Sequence, residues 1–474
     1  MNQAAKWSTQ FEEFVESLMQ EHEIPGLSVA LAGPEEVIYA RGFGFRDREA
    51  GAPAGANTTY GMASITKSFA GLSVTMLEDT GALSAMDPVV SHVPEFAVGG
   101  DPENRAMNIG HFMNHTSGLP PTGALRYSMV RSVEGDPVAE ELKETGAWDS
   151  WIDRPPIDDS DDLLEYLREE DPDLLGRPGE QFSYSNDAYA LLGVVVERVT
   201  GMPFEDFVAE RVLEPLGMDN STFSLDFLED RRDVTTLYAK GRDKEIFRAP
   251  KWQDGPAMVA AGFLRSTPLD MVKYGGMYLR GGKNADGRRL ISDVGFRSMK
   301  GGVFPSARSQ YYGRGFVVRP NYHASTLVEH GGSLKGVSSH FGFVPERGIT
   351  ASVVANLQGV PAAKIWLGLV NLAMGLPIDT PRSVEPEYRV PKDQLERYVG
   401  QYRSGEGTNV KVFLEDGELF AEAEGEVHSL RPSGPDTVAI WYRGQETGVR
   451  FLPGPDGRVK ALYYGLRIIP KVGD

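Results

Sequence analysis

A serine and a lysine stand three residues apart in Ser64-Ile65-Thr66-Lys67, where a helix is predicted to begin. Residues i and i+3 lie on one face of an α-helix, so the hydroxyl and the amine can meet. A serine hydroxyl becomes a good nucleophile when a base removes its proton, and a neutral lysine amine can be that base. A chain of this length contains roughly one Ser-x-x-Lys by chance. The pair therefore indicates catalysis only when other motifs accompany it.

Two further motifs follow along the chain, Tyr184-Ser185-Asn186 and His330-Gly331-Gly332-Ser333. Each is commonplace alone, because a tyrosine is more often part of a core than catalytic and a Gly-Gly pair usually marks a turn. In this order, the three motifs resemble the signature of the penicillin-recognising serine hydrolases. That superfamily includes class C β-lactamases, D-stereospecific peptidases and aminopeptidases, and related carboxylesterases.

The resemblance covers about residues 10–375 and includes His115-Thr116-Ser117-Gly118-Leu119-Pro120 and Glu214-Pro215-Leu216-Gly217-Met218. It implies an α/β (α+β) fold, namely a β-lactamase/transpeptidase-like domain with an antiparallel sheet flanked by helices. The C-terminal part resembles the lipocalin-like β-barrel of some members, through Tyr398-Val399-Gly400-Gln401-Tyr402 and its hairpin pattern.

The chemistry that the resemblance implies is acyl transfer. Ser64 would attack a carbonyl and become acylated, and Lys67 would be its base, which requires a neutral amine. Tyr184 would relay a proton to the leaving group and help to activate the deacylating water; phenolate character there would need cationic surroundings. Asn186 would orient Lys67 and the amide of the substrate.

The implied oxyanion hole consists of the backbone N–H groups of Ser64 and Ser333. Such a hole needs a strand edge free of side-chain crowding, which fits Gly331 and Gly332. The third motif departs from the lysine that β-lactamases and transpeptidases usually carry, because His330 is mostly neutral at pH 7 if unperturbed. With a histidine at this position, the third motif resembles that of the D-aminopeptidase and esterase branches.

We therefore expect a serine hydrolase that forms an acyl-enzyme on amide or ester bonds of a small molecule or short peptide, most simply a D-amino-acid-containing peptide. A carboxylesterase and a weak class C-type β-lactamase are the alternative enzymes. A non-catalytic acylated sensor is the alternative outside enzymes, although the presence of Lys67 and Tyr184 favours catalysis.

Composition excludes several other classes. The formal net charge of −19, from 67 acidic against 48 basic residues, disfavours nucleic acid and anionic membrane surfaces as partners. The chain has no cysteine, so disulfides and thiolate zinc sites are excluded. No stretch approaches the ~20 apolar residues of a membrane span. Without a signal peptide in Met1–Glu21 we expect a cytoplasmic protein, or a periplasmic or secreted one if a leader has been removed.

We expect no cofactor and no metal. His111 and His115 are four residues apart, a spacing that presents two imidazoles on one helix face. His-Glu-x-x-His is absent, however, and no carboxylate-rich partner motif stands out. Helix packing and capping next to a turn is therefore the preferred interpretation of both histidines.

The order of elements predicts where the site lies. Strands are predicted at Leu27–Leu31, Val37–Ala40, Gly315–Val318, Ser338–Val344 and Thr350–Ala355, and helices from Ser64 to about Gly81 and over Ala188–Val199. This order favours a sheet that joins both ends of one domain, residues 1–378. Residues 379–392 read as a Pro-rich linker, and residues 393–474 as a small antiparallel β-barrel with a hairpin at Asp416-Gly417.

For two regions the sequence allows more than one interpretation. Ten acidic residues crowd into 153–173 of an insertion over 120–180, which reads either as a solvated surface or as a lid that disfavours anionic substrates. The barrel either narrows access to the site or mediates homo-oligomer assembly; otherwise it is a stability module. At about 80 residues it is short for a ligand pocket.

Overall fold

The computed structural model describes residues 3–98, 105–144, 146–423, 425–442 and 445–473. The terminal residues 1, 2 and 474 of the predicted domains lie outside these ranges. In the described part of the chain, no helix is both long and apolar enough to cross a membrane.

One large antiparallel sheet forms the centre of the N-terminal domain. Within the described ranges it has nine strands in the spatial order β3-β2-β1-β13-β12-β11-β10-β9-β8. Strands β1 and β13 pair in the middle, so the sheet joins the two ends of the domain as predicted. The strands are β1 Gly26–Ala32, β2 Val37–Asp47, β3 Ala52–Pro53, β8 Phe304–Ala307, β9 Gln310–Tyr312, β10 Val317–Tyr322, β11 Ser325–Leu334, β12 Val337–Val344 and β13 Ile349–Ala355. Two small ribbons pair β4 Tyr60–Gly61 with β7 Arg265–Ser266 and β5 Tyr238–Lys240 with β6 Ile246–Arg248.

Helices cover both faces of this sheet. They are α1 Gln3–Glu21, α2 Thr66–Asp79, α3 Ile109–Met113, α4 Ala124–Val133, α5 Pro137–Glu144, α6 Asp149–Ile152, α7 Ser160–Glu170, α8 Asn186–Thr200, α9 Phe204–Val208, α10 Glu214–Leu216, α11 Asp226–Glu229, α12 Val259–Gly262, α13 Pro268–Leu279, α14 Asp293–Met299 and α15 Ala362–Ala373. A π-helical turn spans Ala209–Leu213, and 3-10 turns span Ala63–Ile65, Val89–Ser91, Pro256–Met258, Pro345–Arg347 and Lys392–Tyr398.

The two faces of the sheet bury separate apolar cores. Helices α1 and α15 pack on one face, where Phe11, Leu27 and Trp366 are fully buried. The larger core surrounds α2 and α8, including Phe69, Leu191 and the inner side of β11 and β12. The central strands β1, β12 and β13 are buried along their whole length because both faces are covered.

The C-terminal region is a closed antiparallel barrel, as the sequence predicts. Its described strands, eight in number, are β14 Gly400–Arg403, β15 Asn409–Glu415, β16 Glu418–Ala423, β17 Glu426–Gly434, β18 Thr437–Tyr442, β19 Gln445–Pro453, β20 Val459–Tyr464 and β21 Arg467–Val472. Inward side chains such as Tyr402, Val412 and Leu462 form a packed cluster inside it. The predicted hairpin turn at Asp416-Gly417 joins β15 and β16.

The structure moves several predicted boundaries. The helix expected to begin at Ser64 begins at Thr66, because Ala63–Ile65 form a tighter 3-10 turn. The strand expected over Gly315–Val318 is β10, which begins at Val317 after Gly315 with φ +81°. The third motif lies within β11 itself, a strand that sequence periodicity alone did not indicate.

A buried ion pair fastens the insertion to the end of β11. Lys335 follows β11 and donates from Nζ to Asp136 Oδ2 at 2.8 Å and to the Ala249 carbonyl at 3.1 Å. Asp136 is fully buried, so its charge has no access to solvent. The pair therefore holds the segment before α5 against the strand that carries the third motif.

Lys335→Met is expected to lower the free energy of unfolding by about 3 kcal/mol, because it leaves the Asp136 carboxylate buried without its cation. Urea unfolding followed by fluorescence measures the loss. Lys143→Met removes the exposed pair with Glu140 and is the matched control, with an expected change of at most about 0.5 kcal/mol. Equal unfolding midpoints for the two variants would contradict this role.

Candidate active site

The nucleophile lies in a strained turn at the start of α2. Ser64 is the middle residue of the 3-10 turn Ala63–Ile65, and Ala63 has φ +48°, a value rare for residues other than glycine. The Thr66 hydroxyl donates to the Ala63 carbonyl at 2.7 Å and accepts from the Leu264 N–H at 3.1 Å. These hydrogen bonds hold the turn in a conformation that presents Ser64 to a cavity.

Three oxygen atoms surround the Lys67 amine. Nζ lies 3.1 Å from Ser64 Oγ, 2.8 Å from Asn186 Oδ1 and 2.6 Å from the Ala261 carbonyl oxygen. Lys67 has no exposed surface. The structure thus brings the predicted nucleophile, the predicted base and the predicted orienting amide within hydrogen-bond distance of one atom.

Burial favours the neutral form of this amine. Desolvation holds the pKa of Lys67 well below its usual value, and the positive charge of Arg467 lowers it further. The carboxyl groups of Glu406 and Asp187 oppose the shift without reversing it. A neutral amine is the state in which lysine can accept a proton.

The hydrogen-bond partners then fix the direction of the lone pair. A neutral amine has two N–H donors, and the Asn186 Oδ1 and Ala261 carbonyl oxygens can only accept. Both donors are therefore used, and the lone pair of Nζ remains for the Ser64 hydroxyl. This is the geometry of a serine whose proton can move directly to its base.

Tyr184 lies beside this pair as a neutral phenol. Burial raises its pKa well above the usual value, although the Ser64 side chain and the Arg467 guanidinium act in the opposite direction. Phenolate character, which would need cationic surroundings, is therefore disfavoured, because desolvation outweighs the effect of the cation. The Tyr184 hydroxyl is buried without a hydrogen-bond partner among the described residues, and Tyr184 lines the cavity. A phenol in this place has a proton to donate.

His330 is neutral by its surroundings. Burial lowers the pKa of the His330 imidazole to about 3. The Nδ1 atom of His330 lies 2.6 Å from the Gly331 carbonyl oxygen, and because that oxygen can only accept, Nδ1 carries the proton. The Nε2 atom is then an acceptor, and the Tyr312 hydroxyl donates to it at 2.9 Å. The third motif places no positive charge in the site.

Gly332 lets β11 approach the nucleophile turn. A Cβ atom there would lie 2.3 Å from the Met62 carbonyl oxygen and 2.3 Å from Ser339 Oγ. Only a residue without a side chain fits between these atoms. Ser333, whose N–H is the predicted second oxyanion donor, follows on the same strand and lines the same cavity as Ser64.

Comparison with known proteins places the chain in a family. Residues 11–373 match the family model described as Beta-lactamase, which is well over half of the chain. The chain belongs to the beta-lactamase family. Among curated proteins this beta-lactamase-family chain is similar to Penicillin-binding protein 4* of Bacillus subtilis (strain 168), with 24% identity over 95% of this chain and 94% of that protein.

Solved structures give the same result for the fold of this family member. The octameric penicillin-binding protein homologue from Pyrococcus abyssi matches 98% of this chain and 100% of its own, with a TM-score of 0.70 and 25% identity. A D-stereospecific amidohydrolase from Streptomyces matches 72% of this chain and 94% of its own, with a TM-score of 0.56 and 20% identity. The expected superfamily and fold class are thereby confirmed.

Several side chains at this beta-lactamase-family site were not predicted from sequence. Tyr312 bonds His330, and Glu406 and Arg467 reach Asn186 and Tyr184 from the barrel. Their only sequence signal is a polar or aromatic residue near a strand end. Such residues are too common to be selected without the fold.

The two histidines that were considered as metal ligands, His111 and His115, cap a helix and pack against an aromatic ring. His111 forms a capping box with Asn108 at the start of α3, as the structural interpretation predicts. His115 packs on the Tyr184 ring with centroids 4.2 Å apart and accepts from the Ser185 N–H at 3.1 Å. Within the described ranges, no group of three or more His, Asp or Glu side chains is placed to hold a metal ion.

Of the predicted catalytic residues, Ser64, Tyr184, Asn186 and His330 line a cavity of about 1240 Å³. One wall comes from the 120–180 insertion and the segment after α12, through Leu125, Met129, Trp151 and Phe263. The ten acidic side chains of residues 153–173 do not line this cavity; most are exposed, and several pair with surface arginines. These positions favour the interpretation of the acidic residues as a solvated surface over that of a lid that disfavours anionic substrates.

Activity is expected to rise with pH through a midpoint well below ~10.4, the ordinary lysine pKa, because the neutral amine of Lys67 is the active form. The profile of kcat/KM for nitrophenyl acetate from pH 5 to 10 measures this midpoint. His330→Asn should lower the rate without moving the midpoint, since His330 is already neutral above about pH 5. A midpoint near 10, or one that moves in the His330 variant, would count against a neutral Lys67 base.

Gly332→Ala is expected to lower kcat/KM at least ~100-fold, because its Cβ would force β11 away from the nucleophile turn and displace the oxyanion donors. Gly331→Ala is the matched control, because the nearest atom to its Cβ is His340 Nδ1 at 3.2 Å, and we expect a loss below ~10-fold. Steady-state kinetics on the same ester decide between them, and equal losses would refute the close-approach argument.

Proposed function

We propose that this chain is a serine hydrolase that cleaves amide bonds of short peptides containing a D-amino acid, through an acyl-enzyme on Ser64. One observation carries the proposal: the Lys67 amine is buried, neutral and directed at the Ser64 hydroxyl at 3.1 Å. A protein that binds its ligand without being acylated has no need of such a base, whereas an acylated sensor would differ from this hydrolase by keeping its acyl group.

Acylation follows from the positions of the side chains. The Ser64 proton moves to Lys67 Nζ as Oγ forms a bond to the substrate carbonyl carbon, so the amine becomes an ammonium ion. The carbonyl oxygen takes negative charge next to the N–H groups of Ser64 and Ser333. The scissile C–N bond then breaks as the leaving amine takes a proton from Tyr184, which regains one from the Lys67 ammonium.

Deacylation uses the same groups in reverse. A water molecule gives its proton to the neutral Lys67, by way of Tyr184, as its oxygen attacks the ester carbon. The bond to Ser64 Oγ breaks, and Oγ takes back a proton. The unpartnered Tyr184 hydroxyl provides the hydrogen-bonding position that the leaving group and the water occupy in turn.

Two features favour a neutral amide over a β-lactam. The third motif carries neutral His330, so it lacks the fixed charge that holds a β-lactam carboxylate in enzymes with a lysine there. The apolar wall of Leu125, Met129 and Trp151 suits an uncharged side chain. The likeness to a D-stereospecific amidohydrolase is one of fold, and it supports testing D-amides first.

A substrate panel tests the proposal, with D-phenylalanine nitroanilide, its L-isomer, a short-chain nitrophenyl ester and a chromogenic cephalosporin at matched concentrations. We expect turnover of the D-amide above the L-amide and the cephalosporin, and loss of at least ~10³-fold in Ser64→Ala. Retained turnover in Ser64→Ala would refute the mechanism. Turnover of the ester with no action on the D-amide would contradict the peptidase proposal and identify the protein as an esterase.

The apolar wall makes a prediction about specificity. Met129→Ala and Trp151→Ala are expected to lower kcat/KM for D-phenylalanine nitroanilide roughly tenfold, because they remove apolar surface that the aromatic side chain contacts. The D-alanine nitroanilide is the control substrate and should lose less than ~3-fold. Equal losses on both substrates would show that the wall does not hold the side chain.

The role of the barrel in assembly stays a prediction. The Pyrococcus abyssi homologue is described as octameric, which is compatible with association of identical copies of this chain.

A further inference from the structure

Two loops at one end of the barrel reach the catalytic asparagine. Glu406, in the loop between β14 and β15, accepts from Asn186 Nδ2 through Oε1 at 3.0 Å. Arg467, at the start of β21, places Nε 2.7 Å from Glu406 Oε2. The result is a continuous chain of contacts Arg467–Glu406–Asn186–Lys67 that begins in one domain and ends at the catalytic base of the other.

Further contacts fasten the same loops to the Tyr184 segment. The Arg467 guanidinium lies 4.9 Å from the centre of the Tyr184 ring. The Tyr184 N–H donates to the Leu466 carbonyl at 2.8 Å, and the Ile468 N–H donates to Ser183 Oγ at 3.2 Å. The side chains of Glu406 and Arg467 are only 16% and 22% exposed, so this pair is shielded far more than an ordinary surface ion pair.

The asparagine needs such a partner. Its amide has an accepting end and a donating end, and Lys67 requires the accepting end, Oδ1. Because Glu406 accepts from Nδ2, it selects the orientation in which Oδ1 faces Lys67. Without that acceptor the amide is free to rotate, and Nδ2 would then place N–H donors against the amine.

We propose that Glu406 and Arg467 are positioning residues of the catalytic site: Glu406 fixes the Asn186 amide against Lys67, and Arg467 holds Glu406 and balances its charge. The proposal rests on the proposed function only in taking Lys67 as the base for Ser64. It makes the barrel a structural part of the active site of the same chain.

The charges of the pair act on Lys67 in opposite directions. The other groups that face Lys67 from packed elements are Tyr184, Tyr189, His115 and His330, whose neutral forms burial favours, and Asp187, whose pKa burial raises to about 7. Removing the positive charge of Arg467 should therefore raise the pH at which Lys67 becomes a base. Removing the negative charge of Glu406 should lower that pH.

The test is the rate of Ser64 acylation by nitrophenyl acetate in the full chain, measured by the nitrophenolate burst from pH 5 to 10. Arg467→Met should move the midpoint of the rate upward by about one pH unit, and Glu406→Gln should move it downward by a similar amount. Glu406→Met should also lower the plateau rate at least ~10-fold, because it removes the acceptor of Asn186 Nδ2. Arg467→Lys should restore most of the wild-type midpoint.

Arg403→Met is the matched control. Arg403 lies on β14 beside the same loop, but its side chain is exposed and, among the described residues, hydrogen-bonds Asn409 alone. Its profile should equal that of the wild type. Midpoints that stay fixed, or that move the same way in Arg467→Met and Glu406→Gln, would overturn the proposal. Absence of peptide hydrolysis with these opposite shifts intact would instead contradict the proposed substrate and leave the positioning role standing.

Discussion

The ability of the Lys67 amine to act as a base depends on its isolation from water. A buried ammonium without a carboxylate partner is unstable by several kcal/mol, so the group releases its proton and becomes a base. Helix α2 provides the lysine, α8 provides Asn186, and the segment of α12 provides the Ala261 carbonyl. Lys67 has no exposed surface, while Ser64, Tyr184 and Asn186 line the cavity beside it.

The neutrality of the surrounding groups follows from the same burial. Tyr184 keeps its phenolic proton and His330 carries no charge, so one proton can pass among Ser64, Lys67 and Tyr184 without a competing fixed cation on β11. The fixed positive charge near the base comes instead from Arg467 of the barrel, where Glu406 compensates it.

The sequence predicts the catalytic set because its motifs are local. Ser64 and Lys67 are one helical turn apart, and Tyr184 and Asn186 flank the N-cap residue of α8, so secondary structure alone places each pair. Glu406 lies 220 residues from Asn186, and no spacing rule joins a barrel loop to a helix of another domain. The acidic insertion leaves two interpretations open for a related reason, since composition gives charge but not the face on which it lies. The central strands are predicted well because they are long and apolar, whereas β11, with its polar and glycine residues, is recognised only by its motif.

Time-resolved intact-mass spectrometry of the full chain mixed with a D-amino-acid ester tests the central claim most directly. The account predicts an adduct of one acyl group, located at Ser64 by peptide mapping, that forms and then decays to free enzyme. It also predicts that Lys67→Met forms the adduct at least ~10³-fold more slowly. An adduct on another residue, an adduct that persists without turnover, or equal acylation in the lysine variant would contradict a Ser64–Lys67 hydrolase.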